Sequence, residues 1–240
     1  MKQHLYLVLI VFIVFLAGCV APGKIYHLTP TEKYKISWFS GLEVVKQQEN
    51  DLILSIAFVE NLPDMVIFSA DITNRSERSI IVDPVDFYIE YDQCLLDSQF
   101  VAKAIDPEKM ILAIDKNIAW KETRLKSQKR TNLIFEKSDL VRDISADRKE
   151  QDELRDKELD QLRRQGKSVN ELSRENEIVS LYEKKQTWIN QSLRKTVLNP
   201  DNSITGKIYF PLNKSAQKIV LKIPLDDILF SIDYYQSEIK

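Results

Sequence analysis

Apolar residues recur along this chain in two rhythms, which change over near Asp106 and again near Asn199. Before Asp106 the period is two. Leu42 to Lys46, Leu52 to Val59 and Met65 to Ile72 are rich in Val, Ile and Phe, and polar stretches over 47–51 and 61–64 separate them. In the third run Val66, Phe68, Ala70 and Ile72 alternate with Ile67, Ser69 and Asp71, so on a strand the first set shares one face, turned to a core. The stretch from Asn74 to Arg78 reads as a turn. Ser79 to Val82 and Phe87 to Tyr91 read as further strands, with Asp83-Pro84 breaking the run between them. Links this short predict antiparallel hairpins.

The second rhythm is helical. Asp106 can cap a helix whose first position is Pro107, and Glu108 is favourable at its positive end. From there to Leu198 the chain has no further proline, one glycine, and a heavy load of Lys, Arg, Glu, Asp, Gln and Leu. Met110, Ile111, Ile114, Ile118 and Leu125 fall at helical spacings, and Ser138 or Ser145 could restart the helix. Between Asp147 and Arg164 only Leu154, Leu159 and Leu162 are apolar. Gly166 is expected to end a helix, and Ser168-Val169-Asn170-Glu171 matches a capping box opening the next. Leu172, Val179, Tyr182, Ile189 and Leu193 then form an apolar stripe. Two helices meeting at Gly166 predict an antiparallel hairpin, whose returning arm of about 30 residues would be about 45 Å long.

Strands resume once Asn199-Pro200-Asp201-Asn202 stops the helix. Ile204 to Phe210, Lys218 to Ile223 and Ile228 to Tyr234 alternate, with Ile208/Phe210 and Ile219/Leu221/Ile223 as inward sets. Three terminal strands alone would leave two raw edges, so they should complete the earlier sheets. Gly206-Lys207-Ile208-Tyr209-Phe210 resembles the Gly-x-hydrophobic-x-Phe strand of immunoglobulin-like domains in small bacterial lipoproteins, as does the earlier stretch from Phe68 to Ser76. The resemblance, over 41–92 and 203–235, implies an α+β fold: an antiparallel immunoglobulin-like β-sandwich of seven or eight strands with a long α-helical hairpin insertion. The strands should occupy 41–103 and 199–240, and the insertion 104–198.

The N-terminus carries a different pattern. After a short basic stretch, thirteen residues from Leu5 to Ala17 pass without a charge. As a helix they would span about 20 Å against a hydrocarbon core of roughly 30 Å, which suits a signal-peptide core better than a permanent span. Leu16-Ala17-Gly18-Cys19 resembles the lipobox of bacterial lipoproteins at all four positions. That resemblance implies removal of residues 1–18 and lipid on Cys19, with two or three acyl chains giving durable attachment at about 0.8 kcal/mol per buried CH₂. Val20, where Asp would favour inner-membrane retention in Gram-negative relatives, leans toward the outer membrane. Residues 19–40, polar to about Lys35, are expected to form a tether, with Trp38 and Phe39 marking the start of packed structure.

Composition narrows the function. With 34 basic and 36 acidic residues the net charge is −2, which exerts no general pull on nucleic acid. Once Cys19 is lipidated Cys94 stands alone, read as a buried inert thiol, and no intramolecular disulfide can form. After cleavage the one histidine, His27, lies in the expected tether. Nucleophilic triads and zinc clusters therefore lack parts, and no glycine-rich loop cradles phosphate. Asp83, Asp86, Asp92 and Asp97, and Asp226 with Asp227, read as turn and surface residues rather than calcium or glycosidase pairs. The basic run Lys121, Arg124, Lys126, Lys129, Arg130 reads as a solvated face balanced by Glu122 and Glu136. Trp120, Trp188 and Tyr182 read as core. The expected function is a non-enzymatic envelope lipoprotein without cofactor, held to the membrane through Cys19. Its charged arm would contact another envelope protein, with Leu154, Leu159, Leu162, Arg163 and Arg164 as candidate contact residues. The alternatives are a cell-wall carbohydrate-binding protein or carboxylate-based hydrolase using Trp38 or Trp188 as a platform, and a purely structural role for the helices over an open sheet face.

Overall fold

The computed structural model describes residues 25–92, 100–144 and 150–239, with side chains described for all of these except 135–168. The chain is mixed α and β, its strands paired antiparallel, with two long helices among the described residues. One five-stranded sheet has the order β1-β12-β11-β7-β8. It is formed by β1 (Ile25–Pro30), β12 (Ile228–Ile239), β11 (Lys218–Leu225), β7 (Tyr88–Asp92) and β8 (Phe100–Lys103). The other has the order β10-β5-β4-β3-β2, formed by β10 (Ser203–Pro211), β5 (Met65–Asn74), β4 (Leu52–Leu62), β3 (Leu42–Glu49) and β2 (Ile36–Phe39). A two-stranded ribbon pairs β6 (Ile80–Val82) with β9 (Thr196–Leu198).

Alternation along each strand builds the core. Leu54, Ile56, Val66, Phe68, Ile72 and Phe210 from one sheet join Ile89, Ile219, Leu221, Ile223, Phe230 and Ile232 from the other in one buried cluster. The ring of Phe68 meets Phe210 edge-on at 6.0 Å and Tyr234 at 5.2 Å. Each such side chain contributes about 1.5–3 kcal/mol by leaving water. The Tyr91 hydroxyl donates to the carbonyl of Pro211, a polar tie from β7 to the end of β10, and burial pushes that phenol's pKa up.

The buried Asn74 shows how the turn after β5 is held. Its amide donates to the carbonyls of Arg78 (2.8 Å) and Leu198 (3.0 Å), while its oxygen accepts from the Ser76 N–H (3.0 Å) and hydroxyl (2.6 Å). One side chain thus satisfies itself fully and links β5, the turn and β9.

The structure corrects several expectations. The tether over 19–40 is in large part folded: β1 pairs with β12 from Ile25↔Ile239 to Pro30↔Tyr234, burying Tyr26 and Leu28. Tyr34 follows it down, donating to the Ser231 carbonyl and accepting from the Asp233 N–H. His27 therefore lies in a strand, its ring edge-on to Phe58 at 5.4 Å. Trp38 and Phe39 do not open the core; they stand 71 % and 73 % exposed. Strands at β1, β2, β8 and β9 exceed the expected seven or eight, because runs of three to six residues give too few periods to register. Helix α1 (Pro107–Ile144) continues through Ser138, and α2 (Glu150–Gln191) continues through Gly166 and the capping-box sequence. A single interior glycine costs about 1 kcal/mol, too little to end a helix that gains from its neighbours on both sides. The hairpin is accordingly longer than expected, with α2 about 63 Å from end to end. No helix among the described residues is long and apolar enough to cross a membrane.

Gly206 marks where the helical segment returns to the sheets. A Cβ built there would lie 2.5 Å from the backbone N of Leu193 and 2.6 Å from its Cα. Glycine is needed for this close approach of two backbones. Gly206→Ala should lower stability by about 3 kcal/mol, the upper end of the overpacking range. Urea denaturation would show it as a lower midpoint with an unchanged slope. Asn74→Ala, which strands buried carbonyls and N–H groups, should cost about 1–3 kcal/mol in the same assay.

Candidate functional site

The helical arm is the feature of this fold with the most uncommitted surface. It is fastened at its root. Asp106 caps α1, accepting from the Glu108 N–H at 2.9 Å and the Lys109 N–H at 3.3 Å. Pro107 needs no such partner. The Ile105 N–H donates to the Tyr209 carbonyl and the Leu193 N–H to the Lys207 carbonyl, each at 2.8 Å. Both ends of the hairpin are therefore bonded to the outer edge of β10. Arg194, just past α2, reaches Glu108 at 2.6 Å and ties the exit to the start.

Apolar contact reinforces the root. Ile67 on β5 and Tyr209 on β10 point away from the main core, and both are buried with Ile114, Ile118, Ile178 and Trp188. The Trp188 ring lies on Tyr209 with centroids 4.1 Å apart. Burial there pushes the Tyr209 phenol up. Trp188 is thus core, as its spacing implied, whereas Trp120 is 57 % exposed and Tyr182 is exposed too. Being buried, Trp188 is removed as a carbohydrate platform.

Beyond the root the helices pack on each other through polar pairs. Lys121 meets Glu177, Lys129 reaches Glu175 at 2.7 Å and Lys185 reaches Asp115 at 2.6 Å. Tyr182 donates to Glu122 at 3.0 Å and Asn132 to Glu171 at 2.7 Å. Two members of the basic run on α1, Lys121 and Lys129, are therefore matched from α2, while Glu122 accepts from Tyr182; the side chain of Glu136 lies outside the described set. Complementary charge at antiparallel positions, 121–129 basic against 171–177 acidic, was the signal for this pairing. Exposed pairs of this kind contribute about 0–1 kcal/mol each, so they set register more than stability.

Two groups of side chains remain unused along this stretch. Trp120, Lys121, Arg124, Arg174 and Glu177 line a cleft of about 200 Å³ between the helices. Lys121 is matched by Glu177, and the Arg124 guanidinium lies 5.3 Å over the Trp120 ring. Arg124 and Arg174 form no ion pair among the described residues, which leaves the cleft a cationic surplus beside an indole. Farther out, Leu133 and Ile134 stand level with Val169 and Leu172, since Asn132 meets Glu171, and all four are more than half exposed. The cleft can receive a carboxylate or another anion through planar guanidinium forks, and the apolar residues can bury against a partner.

The other residues singled out by sequence are placed as follows. Leu16, Ala17, Gly18, Cys19 and Cys94 lie outside the described residues. Leu154, Leu159, Leu162, Arg163 and Arg164 sit on α2 at helical backbone positions, and their side chains lie outside the described set. Among the described residues no group of three or more His, Cys, Asp or Glu is placed to hold a metal ion. Asp226 and Asp227 face Arg78 in a cleft of about 230 Å³ with Asn50, Asp51 and Ser76.

Asp83 pairs with Lys195 at 2.8 Å, beside the exit of the arm. The hydrogen bond from Lys195 holds the Asp83 carboxyl below the usual carboxylate range, with burial opposing it and the Val85 N–H assisting. The native state therefore resists protonation more than the unfolded chain does. The stabilisation is complete above the unfolded value near about 4 and is lost as pH falls through the depressed native value. Thermal melts below about pH 4 should fall less steeply in Asp83→Asn than in wild type, whereas the two slopes should match between about pH 6 and 8.

No protein-family model, no curated protein and no solved structure matches this chain, so what the arm does must be argued from its own residues.

Proposed function

We propose that this chain is a lipid-anchored lipoprotein of the bacterial cell envelope, in the outer membrane where the cell has one. An immunoglobulin-like β-sandwich is the base, and the helical arm docks another envelope protein without a catalytic role. Membrane attachment is through lipid on Cys19, and no nucleic acid is involved. The observation that carries the reading is the surface of the arm. Its helices pack on one another, and its contact with sheet residues lies at the root, around Ile67 and Tyr209. Leu133, Ile134, Val169 and Leu172 are left exposed, near a cleft where Arg124 and Arg174 form no ion pair among the described residues. An arm serving only to cover a sheet would turn its apolar residues inward. Aromatic, arginine and aliphatic side chains grouped this way are the composition of an interface centre, and a partner with acidic residues around an apolar patch fits it.

A photocrosslinking residue placed at Leu133 or Val169 in intact cells tests the reading. A discrete adduct from both positions is expected, with none from Lys46 on β3, and Arg124→Glu combined with Arg174→Glu should weaken it at least about tenfold, as expected for lost charge complementarity. Equal adducts at all three positions, or none from the arm, would count against docking. Cys19→Ser should move the protein out of the membrane fraction; retention there would remove the lipid anchor from the proposal.

A further inference from the structure

The two aromatics that failed to join the core lie where a lipid on Cys19 would bring the bilayer. β1 begins at Ile25 opposite Ile239, the last residue of β12, and so opposite in direction to the Asp226-Asp227 turn where β12 starts. That turn shares a cleft with Asn50 and Asp51, the turn between β3 and β4. The β2–β3 turn is at the other end of β3, so it shares an end of the sheets with Ile25. Two contacts agree: the Tyr26 N–H donates to Asn61 near the end of β4, and His27 meets Phe58.

At this end the β2–β3 turn is tight, with Ser40 at φ 50° and Gly41 at φ 80°, and the hairpin carries Trp38 and Phe39 next to it, one on each face, 71 % and 73 % exposed. Ile25 and Ile239, at the same end of the other sheet, are more than half exposed. Five residues separate Cys19 from Ile25, a reach of at most about 20 Å when fully extended. The arm is rooted on β10, and β2 is at the opposite edge of the same sheet, four strand spacings or about 19 Å away.

We propose that the β2–β3 tip, through Trp38 and Phe39, seats in the interfacial layer of the bilayer that holds the lipid on Cys19, and so sets how the sheets stand on the membrane. Indole and phenyl groups at the water–hydrocarbon boundary keep the ring out of water, and the indole N–H stays near headgroup oxygens. With a flexible lipid anchor and a second aromatic contact, the domain holds one orientation instead of swinging about its N-terminus. The inference rests on the lipid-anchor reading above.

The test uses the full-length lipidated protein in phosphatidylcholine vesicles carrying acyl chains brominated near the headgroup, with tryptophan fluorescence as the readout. Because one of three tryptophans is involved, roughly a third of the emission should be blue-shifted and quenched by bromine. Trp38→Phe should abolish the quenched component and Trp120→Phe should retain it. Protein that floats with the vesicles yet shows no quenching overturns this inference and leaves the anchor standing. Quenching that survives Trp38→Phe overturns it too, because another tryptophan then meets the lipid. Wild type that fails to float with vesicles sinks the anchor and this inference with it.

Discussion

β10 has one edge to spare, and the chain uses it twice. On one side its N–H and C=O groups pair with β5, from Ser203↔Thr73 to Pro211↔Met65. On the other, the carbonyls of Lys207 and Tyr209, two residues apart and so pointing the same way, accept from Leu193 and Ile105. An edge that would otherwise invite another strand is occupied by the start and the end of the helical segment. The condition is steric: Leu193 comes so near Gly206 that no side chain fits between the backbones. Every other property of the arm follows from this pair of attachments, because they fix where it leaves the sheets and how its helices meet.

The arm itself is built in two parts. Near the root, Ile114, Ile118, Ile178 and Trp188 close over Ile67 and Tyr209, and burial of apolar area supplies the stability. Past Leu125 the described contacts between the helices are polar, Lys129 to Glu175 and Asn132 to Glu171, each worth little in water. The arm is thus firm where it is fastened and weakly committed where it is exposed. That division suits an element that meets a partner, because surface spent on internal packing is not available for docking. The basic surplus at Arg124 and Arg174 lies where the two regimes join.

Much of this was legible in the residues. Period two placed Val66, Phe68, Ala70 and Ile72 inward, and all four are fully buried. Asp106-Pro107-Glu108 located the start of α1 to the residue. Other parts were not legible. β1 reads as tether in the sequence because Pro22, Gly23 and Pro30 suggest loop, although Tyr26 and Leu28 alternate in it; the pairing with β12 outweighs the composition. Gly166 reads as a stop because glycine ends helices when nothing else holds them. Of the candidate interaction surface, Trp120, Lys121, Arg124 and Val169 were visible as residues, but the cleft was not, because Arg174 and Glu177 join it only through the antiparallel register.

The sequence by itself determined which residues are apolar on which side of the longer strands, where the first long helix begins, and that nearly a hundred helical residues interrupt the strands. These are local matters, decided by chain geometry over a few residues. Only the tertiary structure decided that Ile67 and Tyr209 face a second core, that Gly206 must stay bare, and that lysines on one helix answer glutamates on the other. Periodicity records which side of an element is apolar; it carries no information about what lies against that side. That is set by contacts between segments far apart in the chain, each satisfied only when the others are in place.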